Sequence, residues 1–557
     1  MRTFKLILLI CFILILPKAQ AGHVAGGEIS WECQGNGTYV FSLKGYTFCQ
    51  NFNNLPLAYV TLQIVGNPLP RSSTNSSFSF ITLRPDTQLY NLNSGDISPL
   101  CNRPAAQALD CANSDFSMER MVYRSDPLRL NGTPPSNGWK FYWVAPCCRP
   151  SYGNYSSGGN PMVGAVMYGN QATNNCYNSS PRFIDYPQFN YCRGEFIEYV
   201  EYAEDSDGDS IVYKMDYSYN SPPSAPIRIP YANNYSYDSP TPSSSINSSN
   251  QDFTLDSASG RISYKFVNGI GNPPRYFLMN IKVEEYRGSQ LLSEVHREMS
   301  MIARDCPLIN NTHPNNNPDI TKPFLKGTTR VSKDTIIAGS TINISLNVLD
   351  TNAVNGNPQE LRLQVLGQQM SKDYTMGGPC ADPTDTTCAY IPSANAVYNA
   401  QKDIYEIVNP LLIGKQIVWQ TDCSDLGPNN QAKTHRFYMR VSDDFCPLPG
   451  VSYDIIEITV LPPNNPPCQL STSIDESDSP DLDLTIYPNP SNGKVFIDRN
   501  EALSLEYQIF NIQGKLMKRG RLAANQHQLE LPEAEGLYFV SIRDESGNEK
   551  TYKLIKQ

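Results

Sequence analysis

Charge is scarce in this chain, and so are the residues that usually carry chemistry. Asp, Glu, Lys and Arg make up 18% of its 557 residues, below the quarter typical of a globular protein. The net charge of −10 removes the basic face that a nucleic-acid binder needs, so no nucleic-acid partner is expected. Histidine is sparse: His23, His296, His313, His435 and His527 are scattered over different segments. There is no HExxH pair to hold a catalytic zinc and no GxSxG elbow to present a nucleophile. No CxxC pair has zinc spacing, which argues against thiolate metal sites. The adjacent carboxylates Glu284-Glu285 and Asp443-Asp444 lie in strand-like runs, where neighbours point to opposite faces and do not converge on a scissile bond. Asp443-Asp444 can also be read as sharing a cation at a junction between segments. His435 lies in a strand-like run and is read as a core or surface residue. The chain is expected not to be an enzyme.

Two further absences concern folding. Past the first residues no apolar run reaches the roughly 20 residues of a membrane helix. No long stretch keeps the i, i+3, i+4, i+7 rhythm of an amphipathic helix. At the start, Arg2 and Lys5 precede the apolar run Leu6 to Leu16 and the small-x-small site Ala19-Gln20-Ala21. Residues 1–21 therefore read as a secretory signal peptide.

What the chain has is turn residues and alternation. Pro 43, Gly 35 and Tyr 33 describe short strands joined by many turns. Tyr39, Phe41 and Leu43 share one face of a strand, as do Val60, Leu62 and Ile64, and Thr341 to Val348 alternates most cleanly. The fold class predicted is all-β, with several Ig-like or cadherin-like β-sandwiches in series. The expected order is a disulfide-rich β domain at 22–192, a cadherin-like sandwich at 193–307 and a linker at 308–323. An Ig-like sandwich at 324–461, a second linker at 462–481 and a small C-terminal domain at 482–557 follow.

Cysteine usage fits an oxidising compartment. Once Cys11 is removed with the leader, 14 of 15 cysteines remain, an even set that reads as disulfides. Pairing does not follow from sequence; Cys101–Cys111 and Cys380–Cys388 are the simplest local pairs.

The sharpest local motif is EDSDGDSI, Glu204 to Ile211. Asp205, Asp207 and Asp209 alternate around Gly208, and closely spaced carboxylates repel one another unless a hard cation neutralises them. Oxygen ligands suit Ca2+. An EF-hand loop counted from Asp205 would need Glu at its twelfth position, which is Asp216, so a loop site of the cadherin kind is the better comparison. The other reading is a solvated acidic turn. Ca2+ is the one cofactor expected.

Near the end, IYPNPSNGKVFI opens a compact run of six or seven strand-like segments. YPNPSNG, IFNIQGK, GLYFVSI and the terminal KLIK occur in that order. Together they resemble the type A C-terminal sorting domain of the type IX secretion system of Bacteroidota. The positions that carry the likeness are Pro488, Asn489, Pro490, Gly493, Gly514, Gly536, Tyr538 and Lys553. The resemblance implies passage through the periplasm, docking on the outer-membrane translocon, and release or attachment to surface lipopolysaccharide. Gly22 to Pro307, with CCRP and KVEEYRGSQLLSEVHREMSMIARDCP, resembles gliding-motility-associated, adhesin-like surface proteins of the same bacteria, which implies a place and a role but no reaction. The expectation is an exported surface or secreted protein, adhesin-like, with glycans or other surface proteins as partners. A carbohydrate-binding protein for glycan capture, or a hydrolase with an unrecognised site, stands as the alternative.

Overall fold

The computed structural model describes residues 24–463 and 484–557, apart from internal stretches of which the longest are 50–57, 87–94, 100–110, 171–177, 268–275 and 371–387. The fold is all-β, as the alternation predicts. Among the described residues no helix is long and apolar enough to cross a membrane. The chain divides into two compact units, Met1–Asn465 and Pro466–Gln557.

The first unit is organised around ten strands: β1 (Val24–Cys33), β2 (Thr38–Phe48), β3 (Val60–Val65), β4 (Phe80–Pro85), β5 (Met118–Ser125), β6 (Trp139–Val144), β7 (Met162–Met167), β8 (Ser210–Met215), β9 (Tyr276–Arg287) and β10 (Gln290–Arg304). Antiparallel pairings run β1-β2-β5-β4-β3-β6-β7. β10 then closes the circuit, pairing with β7 through Ser293–Val295 and with β1 through Arg297–Glu298–Met299. A closed ring leaves these strands no edge to aggregate through. Its interior is filled by the faces read from the sequence, Tyr39, Phe41 and Leu43 from β2 and Val60, Leu62 and Ile64 from β3. The Trp31, Phe41 and Phe141 rings meet there with centroids 4.7–5.9 Å apart.

β9 and β8 continue the sheet beyond β10. A three-stranded sheet of Phe196–Val200, Gln251–Leu255 and Arg261–Lys265 lies over them. The core between these layers takes Tyr199, Ile262 and Tyr264 from one side and Met279, Ile281 and Met299 from the other, and it also includes Tyr46 of β2 and Tyr438 and Tyr453 from further along. The domain boundaries expected at 192/193 and 307/324 therefore do not separate independent cores. Strands on both sides of 192 belong to one sheet, because β10 has its register partners in β1 and β7. The stretch from Asp319 to Leu461 adds two facing sheets, in which Trp419 of one meets Phe437 and His435 of the other at 5.6 and 5.0 Å. Ile342, Ile344, Leu346 and Val348 are buried, as their alternation requires.

Cys192–Cys306 ties the end of β10 to the strand Asn190–Cys192 that runs parallel to it. Cys111 bonds to Cys49, not to Cys101. β2 and β5 are paired neighbours, and the Cys49 N–H donates to Ser117 O at 3.1 Å, which brings Cys49 beside the approach to β5. Cys101 and Cys380 lie outside the described residues; Cys388 is disulfide-bonded.

The second unit is a sandwich of a three-stranded sheet (Leu484–Tyr487, Lys494–Arg499, Gln528–Glu530) and a four-stranded one (Leu505–Asn511, Leu516–Leu522, Gly536–Asp544, Glu549–Lys556). Val495, Ile497, Ile509, Val540, Ile542 and Leu554 form its core.

Candidate functional site

A cleft of about 230 Å³ lies on the outer face of the ring where β6, β7, β9 and β10 meet the short strand Tyr219–Asn220. Tyr142, Tyr168, Tyr219, Asp216, Glu294 and His296 line it. Tyr142 faces Gly164 across the β6–β7 pair, and its ring lies so close that a Cβ at 164 would sit 2.7 Å from Cε1. Here glycine is what admits the aromatic ring. His296 stands between two carboxylates, with Nδ1 3.6 Å from Asp216 and Nε2 3.7 Å from Glu294. The Tyr168 hydroxyl donates to Glu294 at 2.7 Å, and Lys282 Nζ lies 3.5 Å from the same carboxylate. Burial pushes the Glu294 carboxyl up, but His296, Tyr168 and Lys282 outweigh it and hold it down at about 2. The cleft thus offers an aromatic face and a set of fixed charged acceptors. Sequence reasoning treated His296 as one of five scattered histidines; Glu294-x-His296, two residues apart on one strand face, is the signal that could have marked it.

The acidic loop folds differently from its linear pattern. Asp205 Oδ1 accepts from the backbone N–H of Asp207 at 3.0 Å and of Asp209 at 2.9 Å, and Gly208 holds a positive φ of 84° that completes the turn. Asp207 Oδ2 turns to accept from Ser179 N at 2.5 Å. Asp209 is held by Arg287, whose Nε donates at 2.9 Å and Nη2 at 2.5 Å. Glu285 of β9 completes the group, and an oxygen each from Asp205, Asp209 and Glu285 lie within 4.8 Å of one another. Burial pushes the carboxyl groups up, with like charge adding to it: Asp205 well above the usual carboxylate range, Asp207 to about 6 and Glu285 to about 10. Glu285 was invisible as a partner because 75 residues separate it from the loop's last Asp along the chain. It reaches the loop because β8 pairs with β9, Ile211 opposite Glu285. Glu284, on the other face, pairs with Lys214 and Lys282.

The Asp443-Asp444 pair is committed elsewhere. Asp443 Oδ1 accepts from Phe445 N and Gly450 N at 2.9 Å each, its Oδ2 accepts from Asn315 Nδ2 at 2.6 Å, and Asp444 accepts from Glu360 N.

In the second unit the Pro488-Asn489-Pro490 turn is docked on the last strand. Asn489 Nδ2 donates to Lys553 O at 2.7 Å, and its Oδ1 accepts from Ile555 N at 2.8 Å. Ser491 N donates to Ile555 O, and Gln557 N donates to Ser491 O, a short parallel bridge. Gly493 has φ 101°, and a Cβ there would meet Lys556 Cε at 2.8 Å. Tyr538 is buried in the core, while Pro488, Pro490, Gly536 and Lys553 are exposed. Gly514 lies outside the described residues. The motif residues thus bind the first turn of the unit to its last strand.

Residues 485–557 match the family described as the secretion system C-terminal sorting domain. No curated protein matches the sequence. Among solved structures, dimeric latent PorU from Porphyromonas gingivalis is similar at 12% identity over 66% of this chain and 32% of that one, with a TM-score of 0.14. This chain spans about a third of PorU's length. Drosophila N-cadherin EC1-4 gives 12% identity, 77% and 88% coverage and 0.14, and chicken CNTN1 FN1-FN3 gives 8%, 68% and 98%, and 0.13. At these scores none carries an argument. The sorting domain does: it marks the chain for export through type IX secretion to the cell surface or beyond.

Proposed function

We propose that the unit ahead of the sorting domain is an adhesin-like binding module that recognises carbohydrate at the cleft over β6, β7 and β10. The observation that carries this reading is the combination lining that cleft: Tyr142 with its ring packed against Gly164, and Asp216, His296 and Glu294 beside it. A sugar presents a C–H face that packs on an aromatic ring and hydroxyls that need fixed acceptors and donors, and small-ligand sites combine apolar contact with a few convergent polar groups in this way. The likeness of Gly22 to Pro307 to gliding-motility-associated surface proteins belongs to the same reading. A structural surface protein with no soluble ligand, or a hydrolase, is the competing role.

A glycan array probed with the full mature chain tests it. Binding to a defined glycan class, reduced at least about tenfold by Tyr142→Ala, supports the reading; an order of magnitude is what losing one stacked aromatic contact removes. Binding indifferent to Tyr142, or no glycan bound, refutes it. Chemical turnover of a bound glycan would move the assignment to the hydrolase.

A further inference from the structure

We propose that Asp205, Asp209 and Glu285 bind a divalent, oxygen-preferring cation of the Ca2+ class, which clamps the 204–210 loop to strand β9. The site is independent of the cleft described above. Three observations lead there.

The first is geometry. The three carboxylates each bring one oxygen to within 4.8 Å of the others. Ca2+–oxygen distances are about 2.3–2.6 Å, so two oxygens on opposite sides of one ion stand about 4.6–5.2 Å apart and all other pairs are closer. These separations match the spacing of ligands around a single Ca2+, which would take one Asp209 oxygen from Arg287.

The second is unmet hydrogen bonding. Asp205 is 8% exposed and Glu285 fully buried. Asp205 Oδ1 is saturated by two amides and Glu285 Oε2 by the Ser293 hydroxyl. Asp205 Oδ2 has no hydrogen-bond partner among the described residues, and Glu285 Oε1 has none of ordinary geometry, with the Asn178 side chain acting on Glu285 from nearby. Buried polar atoms are nearly always paired, and these two belong to the side chains that face one another in the cluster.

The third is charge. Asp205, Asp207, Asp209 and Glu285 crowd one side of the loop. Arg287 pairs with Asp209, and the Lys433 ammonium lies 3.3 Å from where a Cβ on Gly208 would be. With all four carboxylates ionised against these two cations the local charge would be about −2, which one divalent ion neutralises.

The resulting ligand set differs from the Asp205, Asp207, Asp209 triplet written in the sequence. Asp207 turns to Ser179 N and is not among the three carboxylates that come together, where Glu285 takes its place. A cation here would join the loop to β9, with the Asn178-Ser179 segment held alongside by Asp207 and Arg287.

The test is calorimetric titration of the full mature chain with Ca2+, and separately with Mg2+, after chelation, for the wild type, Glu285→Gln and Asp207→Asn. The expected result is a single Ca2+ site weakened at least about tenfold by Glu285→Gln and changed by less than about threefold by Asp207→Asn. Melting in chelator checks the fold. Glu285→Gln should melt no lower than the wild type, because it relieves repulsion and keeps the Ser293 contact, and it should lose the Ca2+-dependent rise in Tm. Absence of binding up to about 10 mM Ca2+, some tenfold beyond the weak end of extracellular sites, overturns the proposal. Binding that survives Glu285→Gln unchanged, or that Asp207→Asn removes instead, overturns it too.

Discussion

Arg297→Met should destabilise the first unit by about 3–5 kcal/mol, the cost of removing one partner from a buried charge network. Arg297 is 1% exposed and sits on β10, where it closes the ring against β1. Its Nε donates to Glu28 at 2.5 Å, its Nη1 to Glu201 at 2.6 Å and its Nη2 to Asp185 O at 2.8 Å. Its guanidinium also lies 3.8 Å from the centroid of the Phe183 ring. Methionine keeps the length of the stem and removes the charge and every donor. Glu28 retains Lys44 at 3.2 Å, whereas Arg297 is the cation that Glu201 pairs with. Burial already pushes the Glu201 carboxyl up, against the pull of Arg297; without Arg297 it must rise further. A carboxyl whose pKa is raised by folding takes up protons on folding, so stability falls as pH rises from the unfolded value near 4.5 towards the folded one. The deficit of the variant should therefore be smaller at pH 5 than at pH 8.

Denaturant titration followed by tryptophan fluorescence reads this out. All four tryptophans lie in the first unit: Trp31, Trp139 and Trp143 in the ring, and Trp419 between the later sheets. If one cooperative body spans 24–461, the ring tryptophans of a Trp419→Phe background and Trp419 itself should shift together. A shift under about 1 kcal/mol would mean that the network is not structurally coupled. A ring that melts while Trp419 holds its native signal would restore the boundary expected at 307/324 and refute the core shared across it.

Two further outcomes follow from single residues. Glu294→Gln should lower stability at pH 5, and the difference from the wild type should vanish as pH falls through about 2, because a depressed carboxyl stabilises only while it is ionised in the fold; a difference that persists in acid would show that packing, not charge, is at stake. Asn489→Ala should cost the second unit about 1–3 kcal/mol, since two backbone groups of the last strand lose their side-chain partner. It should also reduce protease-accessible display on intact cells. Unchanged stability and display would mean that the turn does not depend on that contact.

The parts that were legible in the sequence are those written locally. Strand faces follow from alternation over six to eight residues, so Tyr39-Phe41-Leu43 and Ile342-Ile344-Leu346 could be read directly. The tail was legible because its turn residues are chemically specific: the Asn489 side chain does what no apolar residue could, capping two groups of the final strand. What was hidden is non-local. Ring closure rests on Ser293–Val295 finding Ala165–Met167, and no short window records that pairing. Cys49–Cys111 was missed for the same reason, since the bond follows from strand adjacency rather than from spacing along the chain. Glu285 was set aside with Glu284 as a divergent pair. The two do diverge, yet each joins a different cluster assembled by strand pairing.

The same non-locality raises the question of how β10 finds its register, because a slip of one residue turns every side chain to the other face. Arg297 and Glu298 are adjacent and fully buried on opposite faces. Arg297 meets Glu28 and Glu201, while Glu298 meets Arg149 at 2.7 and 3.0 Å. Shift the strand by one, and Glu298 faces two buried carboxylates while Arg297 faces Arg149. Each of those encounters places like charges in a dry interior, where repulsion is weakly screened. Buried ion pairs contribute little net stability relative to apolar packing, but they penalise wrong pairings heavily. A strand that must pair with β9, β1 and β7 has several chances to slip. The opposed charges at 297 and 298 leave one register in which both faces are neutralised, and that register is the one that closes the ring.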